Sequence, residues 1–467
     1  MTHPQTAPYR RIGEMIPWCA IAAGLLGFVA VAAHRLYAAA STLGDDLIGL
    51  ALTTFGLGGL AILVWRARLV LAYRPVSAPP ENDLPSLTVV VPAFNEGRQL
   101  YDTVASIAAS DYPKARLHVV VVDDGSDDDT GLWALRSARD FGAIAVRCPV
   151  NRGKRHALYE GFARARGDVI VTVDSDSEVT RDTLRNLVAP LVADPEVGAV
   201  AGVVRVLNRK GAIARMLDVS FTYAFDFIRA SESVLGAVVC CPGALSAYRR
   251  SEIELVKDRW LKQRIFGRPA NIGEDRALTN LMLRRGLRVV FQSNAAVLTK
   301  VPTHYRGLWR MLLRWARSNI RETMVLGGFV FRRFRRQGRT PIRVLFVHHA
   351  IGLALAGLAF PATIAAIVLH PVVLVWLAFA SLLTASVPAA VYAFRRQSRG
   401  SGWAFGWGLL STFALSWVTP FALLTPHRTG WLTRTPAQQG VTGGVPRSLP
   451  RETTVEAGSN PATGLAG

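Results

Sequence analysis

Long stretches without a charged residue lie at both ends of this chain and limit what it can fold into. Residues 15–33 carry no charge, and a helix of about 20 residues, at roughly 1.5 Å per residue, spans the hydrocarbon core of a bilayer. Residues 47–65 form a second apolar stretch, and later ones cover residues 344–369, 372–394 and 403–424. Together with a mean hydropathy of +0.25, these stretches predict a membrane protein.

The first apolar stretch has two interpretations. Arg10 and Arg11 precede it, as they would in a secretory signal peptide, but its length and the second stretch favour a transmembrane hairpin over residues 15–35 and 47–65. Arginines follow that hairpin at positions 66, 68 and 74, and the positive-inside rule places them in the cytoplasm. We therefore expect a multi-pass protein of the cell membrane whose soluble part faces the cytoplasm.

Between the apolar ends, residues 81–300 have the pattern of a soluble α/β domain. Short runs rich in β-branched residues predict buried parallel strands at residues 87–91, 117–122, 143–146, 168–173 and 198–206. Segments compatible with helices separate them, so a doubly wound, mostly parallel sheet follows. In such a sheet the ligand binds beyond the carboxyl ends of the strands.

The charge balance requires an anionic partner. Lys and Arg outnumber Asp and Glu by 54 to 33, which gives a net charge of +21. Because the arginines concentrate beside the apolar segments, they favour lipid headgroups and a phosphate-bearing substrate over nucleic acid. The four cysteines have no CxxC spacing, so they predict no zinc site and are compatible with a reducing compartment.

Two polar pairs directly follow predicted strands. Asn95 and Glu96 come after the first strand, and Asp123 and Asp124 after the second. Adjacent carboxylates repel each other unless they are solvated or meet hydrogen-bond donors, such as the NH and OH groups of a nucleoside. The alternative is an Asp-Gly turn with capping aspartates.

A third acidic pair, Asp174 and Asp176, ends a later strand. Residues i and i+2 of an extended segment point to one side, so both carboxylates can address one divalent cation, Mg²⁺ or Mn²⁺, that bridges phosphates. Lys154 and Arg155 lie between the acidic sites in the chain and would bind a diphosphate. An ordinary basic loop is the alternative for these two cations.

A further acidic group, Glu274 and Asp275 followed by Arg276, comes after a turn of small residues that contains Gly243. A carboxylate on a loop above a sugar could accept the proton of an acceptor hydroxyl, which makes Asp275 a candidate general base. The alternative is a helix N-cap, since the residues that follow are helical in pattern.

Five arginines recur at helical spacing: Arg306, Arg310, Arg314, Arg317 and Arg321. At roughly 100° per residue they occupy an arc of about 80°, so residues 301–341 predict amphipathic helices at a membrane surface. Contact with lipid headgroups would explain this arginine stripe by itself. Arg314 beside Trp315 also offers a guanidinium for a leaving diphosphate and an indole on which a sugar can stack.

Together, these segments resemble the membrane-embedded processive β-glycosyltransferases of glycosyltransferase family 2, with hyaluronan synthases and chitooligosaccharide (N-acetylglucosaminyl) synthases as the nearest relatives. The resemblance covers residues 84–323 and implies a GT-A-type catalytic domain. It implies nucleotide contacts from Asp123, Asp124 and Lys154, and metal–diphosphate contacts from Asp174 and Asp176. It also places Asp275 at the catalytic base, Gly243 on the acceptor side, and Trp431 and Arg434 in a short C-terminal match.

One position departs from the family pattern. The Gln-x-x-Arg-Trp element of the family reads Met-Leu-Leu-Arg-Trp at residues 311–315, so the glutamine is replaced by Met311. The arginine expected at the diphosphate and the tryptophan expected to stack on a sugar are kept. The length of the polysaccharide product and the processivity of synthesis are the properties that the sequence determines least.

The last apolar stretch poses a problem of topology. The positive-inside rule places Arg395, Arg396 and Arg399 in the cytoplasm. A complete crossing by residues 403–424 would then place Arg434 on the opposite side of the membrane. If the Trp431 segment approaches the active site, the stretch must be re-entrant or interfacial, and we expect its break at Pro420. Residues 426–467 hold the C-terminal match and a tail of disordered composition.

The resemblance implies an inverting transferase that moves a hexose, N-acetylglucosamine in the first instance, from a UDP-sugar to a growing β-linked polysaccharide, and exports the product. Two alternatives remain open at this point. One is a non-processive enzyme that adds a single sugar to a lipid phosphate. The other is a non-catalytic transporter or receptor that senses nucleotide sugars.

Overall fold

The computed structural model describes residues 46–336, 338–396 and 399–428. The expected membrane span at residues 15–35, and the C-terminal match with Trp431 and Arg434, lie outside the described residues. The second expected span, residues 47–65, lies within a single helix, Asp46–Ala72.

An eight-stranded sheet forms the centre of the α/β domain, in the order β3-β2-β1-β4-β7-β6-β10-β5. Its strands are β1 (Leu87–Ala93), β2 (Leu117–Asp123), β3 (Ile144–Arg147), β4 (Val169–Val173), β5 (Ser177–Val179), β6 (Val197–Val206), β7 (Leu245–Arg249) and β10 (Arg288–Thr299). A two-stranded hairpin, β8 (Arg264–Ile265) and β9 (Arg268–Pro269), lies apart from it. The five strands expected from the sequence are confirmed.

The sheet is mostly parallel, as predicted. Strand β1 pairs in parallel with β2 and β4, and β6 pairs in parallel with β10. The exceptions are β7, which runs antiparallel between β4 and β6, and the short strand β5 at one edge. Every residue of β1 is buried, which explains its unbroken apolar sequence, because helices cover both faces of a parallel sheet.

The helices are α1 (Asp46–Ala72), α2 (Arg98–Ala108), α3 (Thr130–Phe141), α4 (Lys154–Ala163), α5 (Thr183–Ala193), α6 (Ala212–Tyr223), α7 (Ala230–Val234), α8 (Arg250–Leu261), α9 (Glu274–Arg284), α10 (Tyr305–Val330), α11 (Arg339–Leu369), α12 (Val373–Arg396), α13 (Trp403–Phe413) and α14 (Val418–Leu424). A π-helical turn, Ala224–Arg229, joins α6 to α7. Helix α4 packs on β1 and β2, and α9 packs against α8 and α10.

Within the described residues, α11 and α12 are long and apolar enough to cross a membrane, and α13 with α14 makes a third candidate only if the bent pair is counted as one span. The two halves of this pair meet at 43°. The bend falls at residues 414–417, so our expectation of a break at Pro420 was wrong. Tyr305 Oη and Trp417 Nε1 donate hydrogen bonds to the Ala414 carbonyl at 2.6 and 3.0 Å, which satisfies the freed backbone group at the bend.

The arginine stripe forms on one helix, α10, but the stripe does not lie uniformly at a surface. Arg306 is exposed, whereas Arg317 and Arg321 are buried at 3% and 1% exposure. Arg317 donates to Thr425 Oγ1 at 2.9 Å, and Arg321 Nη2 donates to the Arg428 carbonyl at 3.1 Å. Contact with lipid headgroups therefore does not explain the whole stripe, because residues 425–428, which follow α14, contact Arg317 and Arg321.

Candidate active site

The carboxyl ends of β2, β1 and β4 lie side by side, because these strands are neighbours in the sheet. The sequence-predicted residues Asn95, Asp123, Asp124 and Asp174 follow these three ends. The sheet order therefore brings three segments that are distant in the chain to one edge.

Asp123 and Asp124 point to different loops, which separates their charges. Asp123 Oδ1 accepts a hydrogen bond from the Ser126 amide at 2.9 Å, and its Oδ2 is 3.5 Å from Arg147 Nε. Asp124 accepts the amides of Arg152 and Gly153 at 3.1 and 2.7 Å. Burial raises the pKa of Asp124, and these two amides oppose the rise. Both aspartates therefore hold loops in place, as the turn-and-cap alternative would have it.

Asn95 and Glu96 are also tied to the loop after β2. Asn95 has a left-handed backbone with φ of 52°, and its Oδ1 accepts the Asp127 amide at 3.0 Å. The Glu96 amide donates to Thr130 Oγ1 at 2.8 Å. The loops after β1 and β2 thus form one hydrogen-bonded unit.

Lys154 connects Asp174, at the end of a strand, to Glu274, the neighbour of the candidate base in the chain. It is the first residue of α4, and its Nζ bonds Asp174 Oδ1 and lies 3.2 Å from Glu274 Oε1. Burial by itself would lower the pKa of Lys154, but Asp174 and Glu274 outweigh it and hold that pKa above its ordinary value. Lys154 is therefore a fixed cation between the two acidic groups.

Gly243 closes this cluster on one side. A Cβ at this position would lie 2.7 Å from Lys154 Nζ and 3.7 Å from Asp174 Oδ1. A side chain here would displace the lysine, so the small-residue turn identified in the sequence has a steric reason in the structure.

Glu274 and Asp275 begin α9, directly after Gly273 with φ of 79°. Asp275 is half-buried, its Oδ1 accepts the Arg276 amide at 2.7 Å, and its Oδ2 is 3.9 Å from Cys240 Sγ. Gly273 is the N-cap residue of α9 and Asp275 is the second residue of the helix, so the N-cap alternative does not describe Asp275.

The two carboxyl groups differ in their pKa values. Burial, and then the charge of Glu274, raise the pKa of Asp275. Burial would also raise the pKa of Glu274, but Lys154 and Arg314 hold it below its usual range. The pKa values of the two neighbouring carboxyl groups are thus shifted in opposite directions, an arrangement that is typical of acid–base sites.

Arg314 and Trp315 lie on α10, and Arg314 is close to this pair. The Arg314 charge is near enough to lower the pKa of Glu274, which puts it in the same cluster. The Trp315 ring is 43% exposed and packs on Phe221 of α6, with ring centroids 6.0 Å apart. An exposed indole held by a second aromatic ring is suited to stacking on a sugar.

Asp174 and Asp176 lie in a turn after β4, which the Ser177 amide closes by donating to the Asp174 carbonyl at 3.1 Å. This corrects the assumption of an extended segment. The two aspartates flank buried Ser175 and are themselves half-buried. No cluster of three or more His, Cys, Asp or Glu side chains that could hold a metal ion occurs among the described residues. Mg²⁺ commonly takes one or two carboxylates together with substrate phosphates, so this donor set fits such an ion.

Two sequence-predicted residues do not enter the cluster as expected. Arg155 is 3% exposed, and its Nη1 donates to the Trp260 carbonyl and to Gln263 Oε1, both at 2.8 Å. It points away from Lys154 because consecutive residues of a helix face different directions. Arg276 donates to the Asn319 carbonyl of α10 at 3.3 Å.

Sequence reasoning did not find a cavity of about 520 Å³ between the helices. Its lining includes Arg66 of α1, Glu232 of α7, Arg276 of α9, Asn319 of α10 and His349 of α11. Val239 lines the cavity as well. It precedes Cys240 in the chain, and Arg276 follows Asp275. No spacing in the sequence could have revealed this cavity, because its walls come from separate elements.

A family model described as glycosyltransferase like family 2 matches residues 85–318. An N-acetylglucosaminyltransferase of Rhizobium meliloti (strain 1021) is 32% identical over 399 residues, which cover 82% of this chain and 92% of that protein. One of Azorhizobium caulinodans is 40% identical over 243 residues, 51% of this chain and 61% of that protein. Among solved structures, the mannosyltransferase PcManGT of Pyrobaculum calidifontis, in complex with GDP-Man and Mn²⁺, is 25% identical with a TM-score of 0.53 and covers 83% of this chain and 99% of its own.

Proposed function

Because the chain belongs to glycosyltransferase family 2 and is a glycosyltransferase, we propose that it transfers N-acetylglucosamine from a UDP-linked donor to the end of a β-linked polysaccharide. Full-length similarity to N-acetylglucosaminyltransferases supports the choice of sugar. Membership of this family leaves no support for the hypothesis of a non-catalytic transporter or receptor.

The single observation that carries the proposal is the position of Lys154. Its ammonium contacts Asp174, on the donor side, and Glu274, next to Asp275. A diphosphate bound at the strand ends would therefore lie within one charged cluster with the candidate base. Donor activation and acceptor deprotonation can then occur at the same point in space.

The proposed transfer inverts the anomeric centre. Asp275 takes the proton of the acceptor hydroxyl as that oxygen bonds the anomeric carbon, while the bond from that carbon to the diphosphate breaks on the opposite face. Lys154 and Arg314 stabilise the charge that grows on the departing UDP, and such electrostatic stabilisation is commonly the largest catalytic contribution. Asp174 and Asp176 would hold Mg²⁺ or Mn²⁺, which supplies Lewis-acid neutralisation of the diphosphate when bound.

The acceptor side combines Trp315 with the cavity. The exposed indole would carry the terminal ring of the acceptor, and the cavity, whose lining includes Arg276 next to Asp275 in the chain, would receive the sugars behind it. Its volume lies within the range of about 300–1,000 Å³ that is typical of ligand sites. Because hydrated sugars cross hydrocarbon only at prohibitive cost, a path between the helices would join synthesis to export.

The contacts of α12 support a multi-pass topology with a cytoplasmic catalytic domain. Arg395 donates to the Asp226 carbonyl and Arg396 to Asp218 Oδ1, both at 3.4 Å. The basic end of α12 therefore lies against the catalytic domain, on the side where the positive-inside rule puts it.

A second candidate function, transfer of a single sugar to a lipid phosphate, is favoured by Met311. This residue replaces the glutamine of the family and is buried at 7% exposure, so it offers no hydrogen bond to an acceptor chain. Here too the membrane helices would lie next to the acceptor.

Purified protein in proteoliposomes, supplied with Mn²⁺ and radiolabelled UDP-N-acetylglucosamine, tests both candidates. We expect release of UDP and a water-soluble product that a chitinase degrades and that gel filtration resolves into several sugars. A labelled lipid carrying one sugar would favour the second candidate, and no UDP release with this donor would contradict the proposed donor.

A further inference from the structure

Four side chains fill the space between α4, α8, α9 and α10, outside the cluster around Lys154. They are Arg155, Trp260, Gln263 and Glu322, and we call them the buried bridge. Arg155 is 3% exposed, Trp260 and Glu322 are 1% exposed, and Gln263 is half-buried. The proposed reaction gives none of these four a role.

The buried bridge begins at α4. Arg155 directly follows Lys154, and its Nη1 donates both to the Trp260 carbonyl and to Gln263 Oε1, at 2.8 Å each. Its guanidinium also lies over the Trp260 ring, 5.2 Å from the centroid, in cation–π geometry. Arg155 thereby fixes the end of α8 and the residues after it against the helix that carries Lys154.

The buried bridge ends on α9. Trp260 Nε1 donates to the Glu274 carbonyl at 2.9 Å, in the first turn of α9 next to Asp275. Gln263 Nε2 donates to Glu322 Oε1 at 2.9 Å, and Glu322 Oε2 accepts Asn280 Nδ2 at 2.8 Å. The start of α9 and its middle are therefore both held by hydrogen bonds that lead back to Arg155.

Stability alone is a weak reason for such an arrangement. A buried Arg and a buried Glu that meet only through an amide carry most of their desolvation cost, and well-packed apolar residues of similar volume are often as stable or more so. What apolar packing cannot supply is direction, because hydrogen bonds fix both distance and angle.

We propose that the buried bridge sets the position of Asp275 relative to Lys154, with Trp260 and Arg155 as positioning residues for the general base. This inference rests on the proposed function. Misplacing a catalytic group by about 1 Å can cost on the order of 10²-fold in rate, so one hydrogen bond that directs the Glu274 carbonyl can matter more for catalysis than for folding.

Two variants and a matched control test the proposal. Trp260→Phe removes the indole NH and keeps an aromatic ring. Gln263→Met removes the hydrogen bonds of Gln263 to Arg155 and Glu322 at a half-buried position, and it replaces the first variant if that variant folds poorly. Trp133→Phe is the control, since Trp133 lies on α3 and its Nε1 donates to Asp129, the N-cap residue of the same helix, and not to the site. Each protein is assayed in proteoliposomes with UDP-N-acetylglucosamine for kcat and for its pH profile, and with UDP alone for affinity.

We expect both bridge variants to lose about 10- to 100-fold in kcat with wild-type UDP affinity and a shifted acidic limb of the pH profile, and the control to match the wild type. Amide hydrogen exchange at residues 273–277 should also be faster in the bridge variants than in the control. Unchanged kcat and exchange would overturn the proposal, and so would a parallel loss of UDP binding, which indicates a general structural role. If the wild type itself releases no UDP, the proposed function fails, and the exchange comparison still decides whether the buried bridge holds α9.

Discussion

Lys154 lies between Asp174 and Glu274, with its ammonium bonded to the first carboxylate and 3.2 Å from an oxygen of the second. The lysine belongs to the start of α4, whereas the two acids belong to the end of β4 and the start of α9. Lys154 thereby links the edge of the sheet to the helix that carries Asp275.

Asp275→Asn should abolish transfer and leave donor binding intact. An amide cannot accept the proton of the acceptor hydroxyl, so we expect kcat to fall by about 10²- to 10⁴-fold. UDP release reports the rate, and titration with UDP reports binding. Asp140→Asn, on the exposed face of α3, is the control. An Asp275→Asn enzyme with near wild-type turnover would reject the base assignment.

Glu274→Gln should move the pH profile. The charge of Glu274 is a cause of the raised pKa of Asp275, second to burial, so its removal lowers that pKa. The base then stays ionised to lower pH, and the acidic limb of kcat/KM should shift in the acidic direction. A limb that stays in place or moves toward neutral pH would contradict this assignment.

Gly243→Ala should disturb Lys154. The added methyl group would lie 2.7 Å from Lys154 Nζ, closer than any ordinary contact, so the ammonium must move. We expect a higher KM for the UDP-sugar and a lower kcat. Gly328→Ala on α10 is the matched control, because its Cβ meets no described atom within 4 Å. Equal kinetics for the two variants would show that Gly243 is not required for its size.

Arg321→Met should loosen the segment after α14. Arg321 donates to the carbonyls of Pro426 and Arg428, and a hydrogen bond from a charged group contributes about 1.5–3 kcal/mol. We expect a lower thermal midpoint and faster proteolysis near residue 428, both measured in detergent. Arg306→Met, which removes an exposed arginine of the same helix, should change neither. If both variants behave alike, the buried half of the arginine stripe does not hold this segment.

The sequence by itself determined the fold class and the positions of most chemical groups. A parallel strand is covered on both faces, so its sequence is almost continuously apolar. Residues 87–91 and 168–173 are therefore recognisable as strands without any tertiary information. The residues that follow the predicted strands lie at the ligand edge, so Asp124 and Asp174 are site candidates from the sequence alone. Asp275 follows no strand and is a candidate from its acidic group and from the family resemblance.

Only the tertiary structure decided which partners these groups meet. Lys154 and Arg155 are adjacent cations in the sequence, yet Lys154 enters the charged cluster and Arg155 the buried bridge. Arg306 and Arg321 belong to the same helical repeat, yet Arg306 is exposed and Arg321 holds the chain after α14. The cavity too is defined only by the tertiary structure, because its lining comes from separate elements. Helical periodicity states which residues share a face, but the contacts of that face depend on elements that arrive from distant parts of the chain, and those contacts fix burial, charge pairing and pKa.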